Sequence, residues 1–181
     1  MDETIVKELM VPINEYAVIN EAATLFEAFV ALKDAQEKVP AGRQPHRAVL
    51  VVDKKGNVVG KIGHLAFLKA LEPKYNELGN LHAISEAGIN PEVLNSIMED
   101  FQFWKGECES ILRRTKKIYV KNVMHPVTQN IDEYSTLREA LHKIIIYQSL
   151  SVLVTRGKKV LGILRLSDLF DLIAKRIVNL K

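Results

Sequence analysis

Val160-Leu161-Gly162-Ile163-Leu164-Arg165-Leu166-Ser167-Asp168-Leu169 is an apolar run that passes into a stretch headed by a carboxylate. A short apolar run suits a buried strand, and the apolar spacing after Ser167 suits a helix over 167–178. Just upstream, residues 150–155 (LSVLVT) form a second β-prone run, separated from the first by Arg156-Gly157-Lys158. Two such runs around a glycine turn predict a hairpin, so residues 150–178 read as strand, strand, helix. The pattern occurs twice. Residues 48–60, AVLVVDKKGNVVG, match residues 150–162, LSVLVTRGKKVLG, at a displacement of 102, and a helix is predicted after them over 65–71.

Further out, the duplication continues. Thr24-Leu25-Phe26-Glu27-Ala28 returns as Thr136-Leu137-Arg138-Glu139-Ala140, displaced by 112. Val6-Lys7-Glu8-Leu9-Met10-Val11-Pro12 returns as Val120-Lys121-Asn122-Val123-Met124-His125-Pro126, displaced by 114. The block order is the same in both halves, and the fall from 112 to 102 gives the first copy ten extra residues between Ala28 and Ala48. Pro40, Gly42 and Pro45 mark these as a loop. Each copy opens with a Met-x-Pro turn and a short strand, near 17–19 and over 127–131. A helix follows, with Thr24/Glu27 and Thr136/Glu139 spaced as capping boxes.

Strand, helix, two strands and helix, written twice, resembles the tandem CBS pair, or Bateman module. Residues 160–169 resemble its strand-to-helix signature: apolar-Gly-apolar-apolar, a hydroxyl residue, two variable positions, then Asp and Leu. The resemblance implies an α/β fold of two βαββα repeats packed as a pseudo-two-fold pair, with repeat one at 1–74, a helical insertion at 75–117 and repeat two at 118–181. It also implies a non-catalytic regulatory module that binds AMP, ADP, ATP or S-adenosylmethionine between its repeats, pairs into a homodimer and signals to an effector protein. The alternative is a ligand-free structural or interaction module acting through homodimerisation and its insertion.

By that resemblance Asp168 would hold the ribose hydroxyls, a carboxylate at a helix start being suited to two adjacent donors. The alternative is that Asp168 only caps its own helix. Arg165 stands where the family has Ser or Thr, and two roles are open to it: clamping a phosphate, or filling the cleft with a salt bridge. Val127, Thr128, Ser151, Val152 and Ile163 match ligand-facing positions by place in the pattern, and each could instead be strand core. In copy one Gly63 and Ala66 replace the hydroxyl and the Asp, so a second site of the usual kind is not expected, although Lys61 and His64 could serve an unusual anion.

Composition narrows the partners. Twenty-five basic against 22 acidic residues leave +3, too slight to call for nucleic acid or a membrane surface. Arg113, Arg114, Lys116 and Lys117 suit the end of a helix. Cys108 is the one cysteine, so no internal disulfide or thiolate metal cage is available, and Met1-Asp2-Glu3 begins no basic-then-apolar leader. A cytoplasmic protein without cofactor or metal is expected. No phosphate loop, dinucleotide fingerprint or zinc-protease motif is present, which argues against an enzyme. Within the insertion, Asn90-Pro91 starts a helix predicted to run to about Lys117, roughly 40 Å at about 1.5 Å per residue. Leu94, Phe101 and Cys108, with Ile97, Trp104 and Ile111, give it a seven-residue seam that could cross a dimer interface or pack on its own repeats.

Overall fold

Valine-rich strands and glycine turns give each half a hairpin, and a short strand joins it in parallel through a helix. The computed structural model describes residues 4–79, 81–105 and 108–179. Copy one comprises α1 (Val6–Leu9), β1 (Val11–Pro12), β2 (Val18–Asn20), α2 (Leu25–Glu37), β3 (Ala48–Val52), β4 (Val58–Gly63) and α3 (His64–Leu71). The insertion carries α4 (Leu81–Ala87), α5 (Pro91–Phe101) and α6 (Cys108–Thr115). Copy two comprises β5 (His125–Pro126), β6 (Asn130–Asp132), α7 (Leu137–Ile146), β7 (Ser151–Arg156), β8 (Lys159–Arg165) and α8 (Leu166–Val178). Both predicted capping boxes form, at Thr24/Glu27 and Thr136/Glu139. No described helix is long and apolar enough to cross a membrane.

The two sheets run β2-β3-β4-β5 and β1-β8-β7-β6. Each therefore receives its fourth strand from the other copy. Val11 pairs with Ile163 and Pro12 with Gly162, while Lys61 pairs with His125 and Gly60 with Pro126. The glycines make these crossings possible: a Cβ on Gly162 would collide with the Val11 carbonyl, and one on Gly60 with the Met124 side chain. The cores are exchanged in the same way. Val120 is buried with Leu25, Val49 and Phe67 of copy one, and Val6 with Leu137, Val152 and Leu169 of copy two. A third cluster, Val11, Tyr16, Leu50, Leu153 and Ile163, joins the sheets face to face. Packing thus does not follow the chain divisions at 74 and 118.

Three expectations change. The hairpins do not align at 102 throughout: Val51 faces Gly60 and Val154 faces Gly162, so β3 and β7 correspond at 103 while β4 and β8 correspond at 102. The loop of copy two is one residue shorter, and both hairpins shift register at the end of their first strand. The strand expected over 127–131 is β6, and Val127 lies ahead of it against the third cluster.

The single helix expected from 90 to 117 is divided. Asn90 caps α5 at the Glu92 N–H, as predicted, but Gln102 and Trp104 take positive φ of 48° and 59°. The buried Glu72 carboxylate accepts from the Trp104 N–H at 2.9 Å, and the Lys74 ammonium donates to the Phe101 carbonyl at 2.7 Å. These bonds hold a corner against helix propensity. Beyond it, α6 packs on α2 and α3. The Cys108 side chain and residues 1–3 lie outside the described residues.

Candidate functional site

Strand β8 ends at Arg165, whose extended backbone (φ −100°, ψ 143°) begins α8 without a side-chain cap. Asp168 follows in the first turn, within reach of the guanidinium. Arg165 Nε donates to Asp168 Oδ2 at 2.5 Å and Nη2 to Oδ1 at 2.7 Å. Both side chains are largely buried, 7% and 14% exposed, which makes this two-bond ion pair strong. Arg165 Nη1 donates to the Gln44 carbonyl at 2.9 Å and the Pro45 carbonyl at 3.3 Å, and lies 3.5 Å from His46 Nδ1. The Gln44 amide donates to Asp171 at 3.3 Å. The extra loop of copy one is thereby tied to the last helix of copy two. Of the two roles open to Arg165, the geometry is that of the salt bridge.

Behind the loop, buried His46 meets Tyr16 edge to face at 4.5 Å between ring centres. Burial pushes the Tyr16 hydroxyl up to about 12, partly offset by Arg165. Burial also holds His46 below its ordinary value, and the Arg165 charge adds to that. Both rings are therefore neutral at neutral pH, an uncharged aromatic wall beside a cation.

A cavity of about 840 Å³ opens in front of this wall, bounded by residues of the 11–18 segment including Asn14, Tyr16 and Ala17, by the last turns of α2, by Arg43 and by Arg165. A smaller one of about 220 Å³ lies under the loop beside Asp168, Asp171 and Lys175. Val11, Arg43, Gln44 and Arg165 border both, whereas Asp168 borders only the smaller. Arg43 pairs with Glu15 at 3.5 Å at the exposed rim.

Of the ligand-binding residues singled out in sequence, only Arg165 and Asp168 border a cavity. Ile163 is fully buried between the sheets, and Val152 in the core of copy two. Val127 packs against the inter-sheet cluster. Thr128 is exposed and borders neither cavity. Ser151 pairs with Arg165 across β7 and β8 but borders neither cavity, and its carbonyl and hydroxyl accept from the Lys61 ammonium at 3.3 and 3.2 Å. Burial holds Lys61 below its ordinary value. Ala66, standing in place of the signature Asp, is in the core of copy one. The residues that line the larger cavity with Arg165, Val11, Tyr16 and His46 among them, come from copy one. The sequence reading placed the cleft between the repeats but took its candidate residues from copy two alone, and the strand exchange supplies the rest from copy one. Among the described residues, no three His, Cys, Asp or Glu are grouped to hold a metal ion.

Residues 120–175 match the family model described as CBS domain. No match is found among curated proteins. Among solved structures, the CBS domain of a CBS domain-containing membrane protein from Sphaerobacter thermophilus superposes at a TM-score of 0.63, with 18% identity over 94% of this chain and 88% of that one. A CBS domain-containing protein of unknown function from Bacillus anthracis gives 0.62, with 15% identity over 96% and 95%. CBSX2, solved in complex with AMP, gives 0.58, with 16% identity over 94% and 97%. Identities this low carry the fold alone. Residues 120–175 thus match a CBS domain, and the two exchanged sheets give the whole chain the fold of the CBS-domain structures. Its architecture is that of a tandem CBS pair whose first repeat has an enlarged loop and whose repeats are separated by helices.

Proposed function

We propose that this chain is a non-catalytic regulatory module that takes AMP, ADP, ATP or S-adenosylmethionine in the cleft between Tyr16 and Arg165 and passes its occupancy to a partner protein in the cytoplasm. The observation that carries this is the cavity of about 840 Å³, inside the range of about 300–1,000 Å³ usual for small-ligand sites. Tyr16, Ala17 and His46 offer a neutral wall for a purine, and Lys38, Arg43 and Arg165 offer cations for phosphate. The AMP bound by CBSX2 agrees with this choice of ligand. A second use is favoured by Arg165, which takes both oxygens of Asp168: a ligand-free interaction module that dimerises through the exposed Ile145, Phe170 and Ile177 of α7 and α8.

Thermal melts with each of the four ligands separate the two. A ligand selective for the folded state stabilises it by about 2.7 kcal/mol at a hundred times its Kd. A rise with one ligand, reduced in Asp168→Asn, is the expected outcome; no rise with any at millimolar concentration would leave the interaction module.

A further inference from the structure

The seat that Asp168 offers is closed by its own neighbour. Arg165 borders both cavities, Asp168 only the smaller, so a ligand in the larger cavity meets the guanidinium before the carboxylate. Both carboxylate oxygens are already bonded to that guanidinium. A pair of ribose hydroxyls can reach Asp168 only by displacing Arg165, and a buried cation stripped of its counter-charge is costly.

We infer that Arg165 is a phosphate-keyed gate, admitting to Asp168 only those adenosine ligands that carry a phosphate. This rests on the nucleotide reading above and narrows it. A phosphate gives the guanidinium a replacement anion with matching two-pronged geometry, so Arg165 moves from Asp168 to the phosphate while Asp168 passes to the ribose. The number of paired charges is unchanged by that exchange. Adenosine brings no anion for Arg165. S-adenosylmethionine brings a sulfonium where the phosphate would sit, a like charge beside the guanidinium, and its carboxylate stands beyond a three-carbon arm next to its own ammonium. The gate therefore separates nucleotides from both. It also reports occupancy, because the Nη1 that leaves with it holds the carbonyls of Gln44 and Pro45. A phosphorylated ligand releases the 40–46 loop from Arg165, leaving the Gln44 bond to Asp171 as its side-chain tie to α8.

Calorimetry on the full chain with adenosine, AMP, ADP and S-adenosylmethionine tests this, using wild type, Arg165→Ser and Arg165→Lys. In wild type, adenosine and S-adenosylmethionine bind at least about tenfold more weakly than AMP. Arg165→Ser opens Asp168, strengthens adenosine by a similar factor and brings the AMP-to-adenosine ratio toward one. Arg165→Lys keeps the cation but not the fork, and falls between. The wild-type ratio needs no variant to fold. Adenosine or S-adenosylmethionine binding wild type as tightly as AMP, or a ratio unchanged by Arg165→Ser, overturns the gate and leaves the nucleotide reading standing. Failure of all four ligands with every protein overturns the nucleotide reading itself.

Discussion

Val6 and Val120 hold equivalent places in the two repeats, and each is completely buried in the core of the other repeat. Their backbones are exchanged as well: the Val6 N–H donates to Ser135 at 2.9 Å and the Val120 N–H to Ala23 at 2.9 Å. Each Met-x-Pro segment is therefore a plug in a core to which it does not belong by sequence.

Val6→Ala and Val120→Ala should each cost about 2 kcal/mol, as the loss of buried methyl groups does. Because neither core is complete without the other repeat, each variant should still unfold in one step. Urea melts followed by far-ultraviolet circular dichroism and by Trp104 fluorescence should coincide; two separated transitions would show that the repeats fold independently.

Gly162→Ala should destabilise more than Gly60→Ala. The added methyl of the first meets the Val11 carbonyl, a backbone atom fixed in a sheet, while that of the second first meets the flexible side chain of Met124. Overpacking costs about 1–3 kcal/mol, and Gly162 should lie toward the upper end. Equal urea midpoints for the two variants would contradict the close approach of β1 to β8.

Glu133 is buried at the junction, bonded to the Arg156 guanidinium and paired with Lys7 at 3.4 Å. The Arg156 bond first, and Lys7 after it, hold its carboxyl below the ordinary 4.5. A depressed carboxyl contributes stability that is present above its unfolded value and lost as pH falls through the folded one. The gap in urea midpoint between wild type and Glu133→Gln should be constant near neutral pH and shrink once the pH is below about 4.5. A gap independent of pH down to 3 would mean that the pair adds nothing through its charge.

Much of the fold was legible because it is written in local signals. The repeat, both hairpins and both capping boxes rest on turn residues, β-branched runs and Thr-x-x-Glu spacing, all of which act within a few residues. What escaped is non-local. A two-residue strand such as β1 carries no periodicity, so nothing in residues 11–12 announces a pairing with 162–163. The seven-residue spacing of Leu94, Phe101 and Cys108 persists across a corner that Glu72 and Lys74 impose from outside the segment. In the candidate site Arg165 and Asp168 stood out by their place in the signature. Tyr16 and His46 did not, since the exchange that brings them there is itself invisible locally.

The exchange also dictates an order of events as the chain is made. A ribosome delivers residues at about 5–20 per second, and compact units ordinarily settle as they emerge. Here the first repeat lacks Val120 until the insertion has been synthesised, and Val11 finds Ile163 only when most of the molecule exists. The early segment must wait with Val6 and Val11 uncovered until the strands that bury them have been made.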